Sequence, residues 1–142
     1  MPCQLAKTDS EVLACYPVMS QLRSHIAERE FVARVRSQER GGYQLGFLEE
    51  AGVIRAVTGF RFGESLAWGK YLYVEDLVSL GTARSQGYGQ ELFTWPAELA
   101  REKECEAIHL DSGVQDFAAH RFYLRNRMVI ASHHFKLPVG QG

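Results

Sequence analysis

Apolar residues recur along this chain with two periods, and the order in which those periods alternate outlines a layered α/β fold. Val12, Leu13, Tyr16, Met19 and Leu22 are spaced as on one face of a helix, with Asp9-Ser10-Glu11 ahead of them as its start. A second helical pattern runs from about Glu28 to Glu39, with Phe31, Val32 and Val35 on one side and Gly41-Gly42 as its punctuation. Tyr43 to Phe47 and Val53 to Phe62 then read as two strands, joined by Glu49-Glu50-Ala51-Gly52 as a hairpin turn. Tyr71 to Leu80 predicts a third strand, followed by a glycine-bearing turn and a helix to about Lys103. Trp95-Pro96 falls near the middle of that helix, where proline removes one hydrogen bond and crowds the preceding turn. The helix is therefore expected to kink or to divide. A strand, a helix and a final extended segment from Val129 to Leu137 complete the layout.

Size and composition narrow this picture. A chain of 142 residues fits one domain, expected to span residues 1–142, and is long enough to bury a core. Hydrophobic residues make up 46% and charged residues 23%, the proportions of an ordinary globular protein. The net charge of −1 supplies no electrostatic footprint for nucleic acid or for a membrane surface. No apolar run approaches membrane-spanning length and Met1-Pro2-Cys3-Gln4 does not read as a signal peptide, so the cytoplasm is the expected location. Cys3, Cys15 and Cys105 form no C-x-x-C pair and have no histidine at metal-ligand spacing. His133 and His134 are adjacent and would point to opposite faces of a strand. No metal is expected, and the cysteines read as small side chains for the interior.

Candidate chemistry concentrates between Leu77 and Leu92. There an apolar strand pattern enters a turn, and Arg84-Ser85-Gln86-Gly87-Tyr88-Gly89 opens a helical pattern. Unpaired backbone N–H groups and a partial positive charge at a helix N-terminus favour an anion, and the two glycines let a phosphate approach the backbone. A Walker A loop is excluded because Gln90 and Glu91 follow Gly89. A dinucleotide fingerprint is excluded because its third glycine would fall at Leu92. Paired glycines also serve plain turns, but the strand before, the arginine and the helix after point to a phosphate-bearing ligand.

This segment resembles the acetyl-CoA-binding motif of the GNAT superfamily of N-acetyltransferases, Arg/Gln-x-x-Gly-x-Gly/Ala after a strand. Cys105 to Asp111 is similar to that family's next strand, and Ala119 to Asn126, with its Phe122-Tyr123 pair, to its later helix. The resemblance is clear over residues 71 to 137, while the first half agrees in layout. It implies a single α/β domain: a mixed, strongly twisted sheet with helices on both faces. It also implies transfer of an acetyl group from acetyl-CoA to an amine, by direct attack in a ternary complex.

Carried over position by position, the resemblance places Leu77, Val78 and Ser79 along the pantetheine arm, paired with it as if with an added strand. Ser85, Gln86, Gly87, Tyr88, Gly89 and Gln90 would surround the pyrophosphate, with Arg84 near the phosphates or supporting the loop. Tyr123 would be the general acid that protonates the departing thiolate. An amine of pKa near 10.4 costs roughly 4–5 kcal/mol to deprotonate at neutral pH. Glu75, Asp76 and Asp111 are the candidate carboxylates for that task, acting through water. Glu75 and Asp76 alternate across a strand, so one of the two is expected to face the cleft. Together the three suggest a cationic amine substrate. His109 shares the face of Asp111 two residues earlier.

The chain departs from the family pattern at several positions. Gly81 stands for a frequent proline, Ser85 and Gln86 for a glycine and a basic residue, and Arg127 for a glycine that commonly takes a left-handed conformation. Asp116, seven residues before Tyr123, stands where family members often carry a cofactor-contacting asparagine, and reads better as a helix N-cap. The acceptor is expected to be a small amine, and a homodimer is compatible with the resemblance. Two other classes stay open: a non-catalytic acyl-CoA-binding module and an interaction domain without the ligand.

Overall fold

A computed structural model describes residues 3–80 and 87–140 of the chain. Its elements run β1 (Cys3–Leu5), α1 (Asp9–Ala14), α2 (Tyr16–Met19), α3 (Glu28–Glu39), β2 (Gln44–Glu50), β3 (Val53–Ser65), β4 (Gly69–Ser79), α4 (Tyr88–Glu102), β5 (Ala107–Leu110) and α5 (Phe117–Arg125). The strands form one five-stranded sheet in the order β1-β2-β3-β4-β5, with antiparallel pairing from β1 through β4. The chain separates into two units, Met1–His109 and Leu110–Gly142.

In the first unit, strand alternation assigns each residue to one of two cores. Leu45, Phe47 and Val57 point to the face covered by α1, α2 and α3, where they meet Val12, Met19, Phe31 and Val35. Leu48 and Ala56 point to the opposite face and pack on Tyr88 and Leu92 of α4. Phe60, Leu45, Leu48, Leu72 and Leu92 are among the largest fully buried side chains, each contributing about 1.5–3 kcal/mol through burial. Gly46 marks a close approach of α4 to the sheet, because a Cβ there would lie 2.7 Å from Cη2 of Trp95. The same indole meets Phe60 edge-on at 5.9 Å between ring centroids.

Local signals explain the element boundaries. Thr8 caps α1 by accepting from the backbone N–H of Glu11, while Glu11 accepts from the N–H of Thr8. The first helical pattern is interrupted at Cys15, ahead of Pro17, so α1 and α2 are two short helices and Leu13 and Leu22 remain largely exposed. The turn between β2 and β3 is made at Ala51 and Gly52, both at positive φ as a two-residue hairpin demands. Helix α4 runs as one helix through Pro96, so of the two expected outcomes, a kink or a division, the division does not occur; Pro96 is fully buried. Cys15 is buried, and Cys3 and Cys105 are half-buried, as expected of interior side chains.

The second unit holds α5. Asp116 caps it, its Oδ1 accepting from Ala119 N–H at 3.2 Å, as the sequence predicts. At the other end Arg127 takes φ +68, with its N–H bonded to Leu124 O and Met128 N–H to Tyr123 O. That pair of bonds is the glycine-type helix stop made by an arginine, at a strain of roughly 1 kcal/mol. The segment from Val129 to Leu137, expected to be extended, forms no strand: a strand is held by a neighbour's ladder, and no described strand pairs with it.

Candidate active site

The site begins with an irregularity in β4. Gly59 of β3 pairs with Asp76, but its neighbour Phe60 pairs with Val74, so Glu75 is an extra residue on β4. The bulge reverses side-chain parity. Val74 shares the α4 face with its partner Phe60, whereas Val78, four residues on, packs in the α1–α3 core. Glu75 and Asp76 therefore both open onto the α1–α3 face, where they line one cleft of about 300 Å³. The expected alternation, with one carboxylate facing the cleft, is corrected by this single inserted residue.

The two carboxylates are held differently. Asp76 is 8% exposed and both of its oxygens are engaged: Oδ1 accepts from Arg23 Nε at 2.7 Å and Oδ2 from Tyr43 Oη at 2.8 Å. Thr58 donates to the Asp76 carbonyl at 2.9 Å, and Arg23 Nη2 to the Glu75 carbonyl at 2.9 Å, which fixes the bulge itself. Gly59 makes this network possible, since a Cβ there would overlap the Tyr43 phenol and lie 2.6 Å from Asp76 Oδ2. Burial and the neighbouring Asp76 carboxylate push the Tyr43 phenol well above its ordinary pKa, so it stays a donor.

Glu75 is about a third exposed and accepts from Arg61 Nε through Oε2. Its other oxygen, Oε1, takes no hydrogen bond from any described residue. Arg61 is anchored in turn by the Gly41 carbonyl and Gln38 Oε1, and its guanidinium lies 5.5 Å from the centroid of the Tyr43 ring. Each carboxylate thus has its own arginine, and the acidic pair presents little uncompensated negative charge. Met19, Ile26, Phe31 and Val35 supply the apolar lining.

Leu77, Val78 and Ser79 continue β4 from this point. Leu77 packs towards the α4 core and Val78 towards the α1–α3 core, so their side chains are structural and their backbone groups are what a ligand could use. Strand β5 has four residues against eleven in β4, and Glu106 N–H, just ahead of it, bonds to Lys70 O at the start of β4. At about 3.3 Å per residue it is too short to reach Leu77–Ser79. Arg84, Ser85 and Gln86 lie outside the described residues. Gly87, at φ +81, begins α4 without a side-chain cap, and a Cβ on Gly89 would lie 3.1 Å from Ser79 Oγ. The Tyr88 side chain turns inward and its phenol donates to Glu50, while Gln90 Nε2 lies 3.3 Å from Thr94 Oγ1 along the helix. The start of α4 thus carries no side-chain cap, and the Tyr88 phenol is committed to Glu50.

In the second unit, the Tyr123 phenol is half-buried, and burial together with the Asp116 carboxylate raises its pKa, which keeps it protonated at neutral pH. Asp111 pairs with His134 Nδ1 at 3.3 Å. In the first unit His109 stacks on Trp68, ring centroids 3.6 Å apart, and burial lowers its pKa, so packing accounts for this residue.

Sequence reasoning missed Arg23, Tyr43 and Arg61. They reach the carboxylates from 53, 33 and 14 residues away, and no local motif marks them.

Comparison with known proteins gives a consistent result. The model of the acetyltransferase (GNAT) family matches residues 7–127, so the similarity includes the first half as well as the motif region. An uncharacterised N-acetyltransferase, YhdJ of Bacillus subtilis (strain 168), is 34% identical over 126 residues, covering 87% of this chain and 89% of that protein. An aminoalkylphosphonate N-acetyltransferase of Salmonella typhimurium is 38% identical over 52 residues, 37% of this chain and 34% of that protein. The crystal structure of a transcriptional regulator from Bacillus halodurans C-125 shares the fold with a TM-score of 0.84 at 20% identity, covering 97% of this chain and 99% of that one.

Proposed function

We propose that this chain, which belongs to the acetyltransferase (GNAT) family, moves an acetyl group from acetyl-CoA to the primary amine of a small molecule, as a single domain over residues 1–142. The observation that carries the reading is the bulge at Glu75, which sets a carboxylate with one unoccupied oxygen into the cleft immediately ahead of Leu77–Ser79. The fit to the co-substrate rests on two features of the chain. Leu77–Ser79 run beyond the reach of β5, leaving that edge for a pantetheine arm, and Gly87, Tyr88, Gly89 and Gln90 open α4, whose start has no side-chain cap, for the pyrophosphate. Arg84, Ser85 and Gln86 would complete that loop.

Acetyl-CoA, when bound, supplies the thioester carbonyl. With both substrates present the amine nitrogen bonds to the carbonyl carbon and the C–S bond breaks. Glu75 Oε1 accepts the proton the amine loses, through water, and the Tyr123 phenol gives one to the departing sulfur. Asp76, with both oxygens engaged, positions Arg23, Tyr43 and the bulge; this separates the roles of two neighbouring carboxylates. Asp111 is the third candidate base. No metal enters this chemistry. No described helix is long and apolar enough to cross a membrane, and the cytoplasm suits the reaction.

Thermal unfolding with acetyl-CoA, CoA, ATP and NAD in parallel tests the cofactor. At about 100 times its dissociation constant a ligand adds roughly 2.7 kcal/mol, or several degrees. Stabilisation by the two CoA species alone, with thiol release on adding amines, is the expected result. Stabilisation without turnover on any amine would favour the sensing module, and no shift at millimolar CoA the interaction domain.

A further inference from the structure

The charge lining the cleft is uneven. Arg23 is spent on Asp76 and the Glu75 carbonyl, and Arg61 on Glu75, Gln38 and Gly41. Arg36, on α3, is spent on Asp9, Glu39 and the Lys7 carbonyl. Arg34 also lines the cleft, yet it forms no hydrogen bond or ion pair with any described residue. It stands one helical turn from Phe31 and Gln38 and beside Val35, all of which line the same cavity, so its position on α3 is set by the buried face. Glu75, whose Oε1 is unoccupied, belongs to the same lining. The cleft therefore carries a hydrogen-bond acceptor for an ammonium group and a separate, uncompensated guanidinium, with an apolar lining formed by Met19, Ile26 and Phe31.

Resting on the acetyltransferase reading, we infer that the acceptor is a small zwitterion, an amine carrying a carboxylate or another oxyanion, and that Arg34 binds the anionic end and sets this specificity. A guanidinium is suited to this because its planar fork of donors matches a carboxylate or phosphonate with two parallel hydrogen bonds. A polyamine would instead set a second cation against Arg34. An uncharged alkylamine would leave the guanidinium unused.

The test compares ω-amino acids of increasing length, from glycine to 5-aminopentanoate, with n-alkylamines of matching length, by thiol release at saturating acetyl-CoA. The wild-type protein should prefer the amino acid at the favoured length. Arg34→Gln should lower kcat/KM for it about 10- to 100-fold, mainly through KM, and leave the alkylamines unchanged. Arg34→Lys should restore part of the loss, and Arg34→Glu should reverse the preference. Equal or better use of alkylamines by the wild type, or equal losses on both series in Arg34→Gln, would overturn the inference while leaving the acetyltransferase reading in place. Absence of both CoA stabilisation and turnover would instead remove that reading. Ligand-observed NMR with the same amino acids then decides the inference: binding lost in Arg34→Gln supports an anion-selecting cleft, and no binding to the wild type ends it.

Discussion

The two faces of the sheet are built from the same strands and do opposite things. Towards α4 the packing is close and largely apolar: Trp95 sits on Gly46 and against Phe60, and Leu48, Ala56 and Leu92 pack together with Tyr88. Towards α1–α3 the buried core gives way near Glu75 to a cleft, and the strand bends there around a hydrogen-bonded carboxylate. One face spends its residues on density, and the other keeps polar groups paired so that a few atoms stay available. The difference teaches that the bulge, more than any single side chain, converts a structural sheet into a candidate site.

Four measurements would sharpen or break that contrast. Glu75→Gln should show the largest effect, an acetyl-transfer rate lower by about 10²–10⁴-fold, with acetyl-CoA binding retained. Its unfolding temperature should change little, because Arg61 keeps Gln38 and the Gly41 carbonyl. A loss of folding equal to the loss of rate would place Glu75 with the structural residues instead. Gly46→Val should do the reverse on the opposite face, forcing Trp95 outwards at a cost of up to about 3 kcal/mol in denaturant unfolding, while any protein that stays folded keeps its amine preference.

Asp76→Asn comes next. It keeps the shape and the Tyr43 contact but leaves Arg23 without its counter-charge, and Arg23 is partly solvated, so about 1–2 kcal/mol is expected. Slower transfer should accompany this as the bulge loosens. An Asn variant with full stability and full activity would contradict the positioning role.

The smallest effect at neutral pH concerns the buried thiol behind the cleft, which acts only in alkali. Burial pushes the Cys15 thiol up from 9.0 to about 12. A folded-state pKa above the unfolded value means the stabilisation is intact below pH 9 and is lost as pH rises towards 12, because the unfolded chain releases its proton first. At pH 10.5 this amounts to about 2 kcal/mol of lost stability. Cys15→Ala should make the alkaline slope of stability shallower, leaving the contributions of Cys3, which burial raises to about 11, and of the Tyr43, Tyr88 and Tyr123 phenols; an unchanged slope would show that Cys15 does not contribute to it.

Much of this was legible in the chain. The helical period from Glu28 to Glu39 matches α3 at both ends, the apolar alternation located β2, β3 and β4, and Asp116 caps α5 as its spacing predicts. These features are local: capping, periodicity and turn chemistry act within a few residues of their own sequence. The motif at Arg84–Gly89 and the Phe122-Tyr123 pair were enough to suggest the family, and the match over residues 7–127 shows it. Other features were hidden because they are decided by pairing. Strand β1 has three residues, too few for a period, and Val129–Leu137 has a strand's composition with no described strand paired to it. Above all, alternation by itself separates Glu75 from Asp76. Only the register of β3 against β4 inserts the extra residue that turns both to one side, and only the folded chain brings Arg23 and Tyr43 from far along the sequence to hold them there. The sequence by itself determined most of the elements and the family, because those depend on near neighbours. The tertiary structure decided which carboxylate keeps an available oxygen and which arginine keeps an uncompensated charge, because those depend on what long-range packing leaves over.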